Sequence, residues 1–175
     1  MFEYHPLVEE TSELRQLAKD HLGEEDFLEI TPGYSFYVTL KGDVRPLGFA
    51  TSCISFIWDA TPKIQRLVNP HLEGCSKKIG WLCNSVVHPA WQRRGIGRKF
   101  YELRLAELDK EVGYVLISAW VPPGTERANV AGLAERFGFK LLGVVPEFWA
   151  GCGCPSCGDA CTCGAAVYLR RKPRR

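Results

Sequence analysis

At 175 residues, 46% hydrophobic and 24% charged, the chain has material for one globular domain with a real core and is cramped for two. Its N-terminus has no positively charged start followed by an apolar run, and no apolar stretch reaches membrane-spanning length, so a cytoplasmic protein without a membrane partner is expected. The net charge of +2 hides an asymmetry: five positive charges and no negative ones fall in Arg170 to Arg175, which leaves the body net acidic and argues against a nucleic-acid-gripping surface.

Leu14, Leu17, Ala18 and Leu22 recur at helical spacing within Ser12 to Leu22, and Gly23 follows where a left-handed cap would sit. Tyr34, Phe36, Val38 and Leu40 alternate with other residues, Lys41-Gly42-Asp43 is a turn signal, and Leu47 to Ile57 is rich in strand formers, as in a hairpin or meander. Trp58 to Lys78, with two prolines and no clear period, reads as a loop with at most one short helical turn. Trp81 to Val87 is an apolar strand that ends at Pro89, because proline cannot continue a central ladder. Tyr101, Leu105, Leu108 and Val112 then mark one face of a helix, widened by Phe100 and Leu103.

Tyr114 to Trp120 has the continuous apolar character of a strand buried on both faces. Thr125 is placed to cap a helix whose face is Val130, Leu133, Ala134 and Phe137, with Gly138 at its end. Phe139 to Val145 and Ala165 to Leu169 close the chain as two strands. The expectation is a single α/β domain over residues 1–175, with a cysteine-rich loop at 150–164 between the last two strands and a solvated basic tail at 170–175.

Between the strand ending at Val87 and the helix beyond it stands Gln92-Arg93-Arg94-Gly95-Ile96-Gly97-Arg98. Strand, glycine-bearing turn and helix aim main-chain N–H groups and the positive end of a helix dipole at an anion. The glycines leave room for a diphosphate to approach, and the three arginines add charge. The plain alternative is a helix start that happens to contain glycine. Neither the nucleoside-triphosphate loop nor the three-glycine dinucleotide turn fits the spacing.

Gln92 to Gly97 matches the Q/R-x-x-G-x-G/A signature of the GNAT acyl-CoA N-acyltransferases. Val86-Val87-His88-Pro89 stands where that family has its V-x-P strand end, and Leu133 to Phe139 (LAERFGF) is similar to its L-Y-E-x-x-G-F ending. The order of elements from Ser12 to Leu169 resembles the family's as well. The resemblance implies a mixed, strongly bent central sheet flanked by helices, with splayed fourth and fifth strands holding a pantetheine arm. It implies acetyl-CoA as co-substrate and a primary amine, of a small molecule or a protein, as acceptor; the family also often forms homodimers. By the same resemblance, main-chain groups of Ser85, Val86 and Val87 receive the pantetheine and thioester. Gln92, Arg93, Arg94, Gly95, Ile96, Gly97 and Arg98 wrap the diphosphate, and Asn129 is a further cofactor contact. A preorganised N–H beside the thioester carbonyl would stabilise the charge that develops as the amine attacks.

The pattern breaks at the proton donor. The family's tyrosine, four residues before the glycine of the G-F ending, falls on Ala134, and the asparagine seven residues earlier falls on Arg127. Tyr168, Tyr101, a cysteine or water could protonate the departing thiolate instead, and Glu147 or His88 could deprotonate the amine. His88, next to Pro89, reads more simply as an exposed turn residue. Asn84 and Trp120 are placed to shape an acceptor pocket, although core packing explains Trp120 equally well.

Cys53, Cys75 and Cys83 are scattered, whereas Cys152, Cys154, Cys157, Cys161 and Cys163 fall within twelve residues. Cys154-Pro-Ser-Cys157-Gly158 has the form of a zinc knuckle, in which two thiolates share one tetrahedral ion. Cys161 and Cys163 could complete the set, or Cys152 could replace one of them. Zn2+ is favoured over an iron–sulfur cluster because nothing else suggests electron transfer, and over a set of free or disulfide-paired thiols because the cysteines are so dense. Two other functions remain open: an acyl-CoA sensor without turnover, which Ala134 keeps alive, and a metal- or nucleic-acid-binding module built on the cysteines and tail.

Overall fold

The computed structural model describes residues 1–22, 29–74, 77–125, 127–151, 157 and 160–173. Its elements are β1 (Phe2–Pro6), α1 (Ser12–Leu22), β2 (Phe36–Leu40), β3 (Gly48–Phe56), α2 (Pro62–Val68), β4 (Lys78–Val87), α3 (Ile96–Glu111), β5 (Tyr114–Val121), α4 (Ala131–Arg136), β6 (Lys140–Val145) and β7 (Gly164–Arg171). They form a mixed α/β fold with a seven-stranded sheet of order β1-β2-β3-β4-β5-β7-β6. Pairing is antiparallel at β1–β2, β2–β3, β5–β7 and β6–β7, and parallel at β4–β5 through Gly80–Val115 and Trp81–Leu116. Among the described residues, no helix is long and apolar enough to cross a membrane.

The chain divides into two compact units, one made of Met1–Cys53 and Leu82–Lys110, the other of Ile54–Trp81 and Glu111–Arg175. In the first, the alternation of strand side chains feeds two cores. Phe49 and Val86 pack with Leu7 and with Leu14, Leu17 and Ala18 of α1. Val38, Leu47 and Ala50 pack with Ile96 and Phe100 of α3. Gly48 is required here, because a Cβ on it would meet the Val86 carbonyl oxygen at 2.5 Å. In the second unit, Ile64 and Val68 of α2 join Ile79, Tyr114, Leu116, Val145, Val167 and Leu169 in one cluster. β5 and β7 pair along their whole length, from Tyr114–Arg171 to Val121–Gly164.

Three expectations need correction, and one strand has no counterpart in the sequence analysis. The segment 58–78 holds a true helix, α2, in which Pro62 occupies the first turn, where its missing N–H has no partner to lose. Thr125 caps no helix: its hydroxyl donates to the Pro122 carbonyl at 2.7 Å, and α4 begins only at Ala131. The tail is not wholly solvated, since Arg170 and Arg171 continue β7 opposite Val115 and Tyr114; Arg170 is buried, and Arg171 Nη2 donates to Glu73 Oε2 at 2.7 Å. Phe2–Pro6, for which the sequence suggested no element, is a strand. Gly23, Cys75, Cys152, Cys154, Gly158, Arg174 and Arg175 lie outside the described residues.

Candidate functional site

The glycine turn connects β4 to α3 within the first unit. His88 N–H donates to the Leu47 carbonyl at 2.8 Å as the strand ends, and Pro89–Trp91 form a single 3₁₀ turn. The His88 side chain is engaged in this turn, its Nδ1 accepting from the Ala90 N–H at 3.3 Å, so the turn reading of His88 is the one its contacts support. Gln92 Nε2 then donates to the Val87 carbonyl at 3.0 Å, tying the turn back to the strand.

Two residues take left-handed backbone, Arg93 at φ 61° and Gly95 at φ 85°. Such residues let successive N–H groups point to one side of a turn. No atom lies within 4 Å of where a Gly95 Cβ would be, so the space above the turn is open. α3 starts inside the motif, with Ile96 buried as its anchor while Gln92, Arg93, Arg94 and Gly95 are exposed. Its first N–H groups have no carbonyl one turn earlier in the helix to accept them.

The three arginines differ in what they touch. Arg94 lies over the Trp91 ring at 4.8 Å, while Arg98 Nε donates to Glu102 Oε1 at 3.0 Å one turn along the helix. On β4, Val86 turns its side chain into the core with Phe49, Ser85 is exposed, and the Asn84 N–H donates to Thr51 Oγ1 at 3.1 Å. Tyr101 is buried on α3 under the Arg104 guanidinium, 5.2 Å from its ring.

The remaining candidates belong to the second unit. Tyr168 is only 1% exposed in the middle of β7, between Ile117 and Leu141. Burial pushes its phenol pKa up; the Glu135 carboxylate adds to this and Arg127 opposes it. Those two residues are themselves an ion pair at 2.5 Å. Glu135 directly follows the buried Ala134 on α4, so the Tyr168 hydroxyl senses charges on and beside that helix. Asn129 is exposed in the turn before α4, and Glu147 is exposed in the turn after β6 with left-handed backbone, φ 48°.

Cys157, Cys161 and Cys163 come together between β6 and β7, their Sγ atoms all within 4.8 Å of one another and those of Cys157 and Cys163 3.4 Å apart. Around a zinc ion with bonds of ~2.3 Å in tetrahedral directions, neighbouring sulfurs stand about 3.8 Å apart. Trp120 and Trp149 pack against the group, with their rings 5.7 Å apart. Trp149 Nε1 is buried and has no acceptor among the described residues, which suits an indole beside sulfurs that carry charge. The donor set therefore fits a thiophilic ion.

The model of the Acetyltransferase (GNAT) family matches residues 4–139, more than half of the chain. The chain belongs to this family. No protein of curated function matches it. Its fold is similar to that of Arabidopsis thaliana NAA60 in complex with acetyl-CoA, with a TM-score of 0.70 at 11% identity over 98% of this chain and 100% of that one. The ribosomal-protein-S18-alanine N-acetyltransferase of Escherichia coli has a TM-score of 0.59 at 17% identity, covering 100% and 96% of the two chains. A GNAT acetyltransferase of Elizabethkingia anophelis with acetyl-CoA bound has a TM-score of 0.63 at 12% identity, covering 98% of each. At these identities the likeness establishes the fold alone.

For a GNAT chain, the departure at Ala134 stands out in three dimensions, because that side chain is buried in α4 and offers no hydroxyl. The glycine motif, by contrast, sits in the strand–turn–helix context that the family signature implies. The sequence reading missed two groups in this GNAT chain: Cys53 and Cys83 meet with Sγ atoms 3.7 Å apart, and Arg104 is buried on α3. An arginine on the apolar face of the Tyr101, Leu105, Leu108 stripe was the available signal for the second.

Proposed function

We propose that this GNAT chain transfers the acetyl group of acetyl-CoA to a primary amine, with its diphosphate seat at Gln92 to Arg98. The observation that carries the reading is the open left-handed turn at Arg93–Gly95 in front of the start of α3. Main-chain N–H groups there and the exposed arginines complement a diphosphate. Upstream, Ser85, Val86 and Val87 offer main-chain groups of β4 to the pantetheine amides. The amine, once deprotonated, attacks the thioester carbonyl carbon, the carbon–sulfur bond breaks, and the CoA sulfur takes a proton. Binding donor and acceptor together supplies the proximity on which such a transfer depends.

The same proposal gives the C-terminal cysteines a structural zinc ion held by Cys157, Cys161 and Cys163. When bound, the ion would cross-link the connection between β6 and β7. Cys152 and Cys154 are the sequence's further thiols for the fourth position.

Calorimetric titration of acetyl-CoA into the wild-type chain and into Gly95→Glu tests the seat. The variant combines a strained backbone position with a negative charge at the diphosphate, and affinity should fall by at least ~10-fold. Unchanged affinity in a folded Gly95→Glu would sink the proposal. An acyl-CoA sensor is a second reading, favoured by the apolar Ala134. It predicts binding without acetyl transfer to any member of an amine library.

A further inference from the structure

Cys53 of β3 and Cys83 of β4, thirty residues apart in the chain, place their Sγ atoms 3.7 Å from each other. The Glu29 carboxylate joins them, with one ligand atom from each residue lying within 4.8 Å of the other two. All three belong to the first unit. We infer that Glu29, Cys53 and Cys83 form a binding site for a thiophilic divalent metal ion of the zinc type, distinct from the C-terminal cysteine group.

Geometry is the first argument. Two thiolates on one tetrahedral zinc ion stand about 3.8 Å apart, and the pair needs almost no movement to reach that spacing. The carboxylate supplies a third ligand of the right kind, and water can fill the fourth position.

Charge is the second argument. Arg104 is 1% exposed, and its Nη1 and Nε donate to two neutral carbonyls, Thr51 O at 3.1 Å and Phe100 O at 3.3 Å. Burial pushes its pKa down to about 10, while Tyr101 and Cys83 act in the opposite direction. The two thiols are in hydrogen-bond contact with each other, and either sulfur can be the donor. A divalent ion displaces their protons. Two thiolates and the Glu29 carboxylate then balance the two charges of the ion and the one of the buried Arg104 guanidinium, which leaves the group neutral as a whole. A disulfide would instead remove both thiols as ligands, leave Arg104 facing carbonyls and give Glu29 no role.

The test is a cobalt(II) titration of the reduced, metal-stripped full chain, with zinc affinity measured by competition with a chromogenic chelator. A variant carrying Cys157→Ser, Cys161→Ser and Cys163→Ser should still bind one equivalent, with thiolate-to-cobalt charge-transfer absorption and proton release on binding. Adding Cys53→Ser and Cys83→Ser should abolish that equivalent. Glu29 is exposed, so Glu29→Gln probes the site without touching the core and should weaken the remaining zinc affinity by roughly tenfold or more. The proposal is overturned if the folded triple variant binds no metal, or if its metal affinity is indifferent to Glu29→Gln and to Cys53→Ser. A triple variant that binds no metal but readily loses two hydrogens between Cys53 and Cys83 by intact mass would mark the pair as a redox couple instead.

Discussion

Tyr168 shows how a side chain's role depends on where it is buried. Its raised pKa means that the folded chain favours the neutral phenol. Its contribution to stability is therefore complete below the ordinary tyrosine value of ~10 and is lost as pH rises through the higher folded value. The phenol therefore stays protonated across neutral and mildly alkaline pH. We expect Tyr168→Phe to lessen the loss of stability that the wild-type chain shows as pH rises above ~10. Denaturant melts of both chains between pH ~8 and ~11 would check this, and an identical pH dependence in the variant would refute the account. At this scale, Ala134 was legible as a missing hydroxyl simply by counting back from Gly138. That Tyr168 senses the Arg127–Glu135 pair was not legible, because a strand residue's neighbours are set by sheet register and not by its place in the chain.

Among the elements, β3 and β4 are held close by the absence of a side chain. A Cβ at Gly48 would stand 2.5 Å from the Val86 carbonyl oxygen and 3.1 Å from the Val87 Cα, both main-chain atoms that can yield only by moving the strand. Gly48→Ala should therefore cost about 1–3 kcal/mol of stability and, by displacing Val86 and Val87, weaken acetyl-CoA binding. Thermal melts beside calorimetry would show this, and an alanine variant with wild-type stability and affinity would refute the account. α1 matched the sequence reading from Ser12 to Leu22 because one apolar stripe on a helix is a local pattern. α2 escaped it because Ile64 and Val68 give only a short stripe and Pro62 looked like a breaker. β1 escaped it because the evidence for a five-residue strand is its partner: Phe2 pairs with Leu40, far along the chain.

For the molecule as a whole, the second unit has a convergence of thiols of its own. The connection between β6 and β7 converges on Cys157, Cys161 and Cys163, with Trp120 and Trp149 packed against them. Stripping the metal under reducing conditions should lower Tm by at least ~5 °C and shift tryptophan emission, as the connection loosens around the two indoles. Acetyl-CoA affinity should persist, because Gln92 to Arg98 lie in the other compact unit. Scanning calorimetry and fluorescence with and without chelator would decide, and an unmoved Tm after verified metal loss would leave the cysteines without a structural task.

The sequence by itself determined what depends on neighbours in the chain: the strand–glycine–helix turn at Val86 to Phe100, the amphipathic faces of α1 and α3, and the density of cysteines after residue 150. These are readable because backbone preferences, helical period and ligand spacing act over a few residues. Tertiary structure alone decided which distant groups meet. It joined Cys53 to Cys83, buried Arg104 beneath β3, and set Arg170 and Arg171 into β7. Such meetings follow from strand order and register, which are settled by burying the whole apolar surface at once, and no local spacing encodes them.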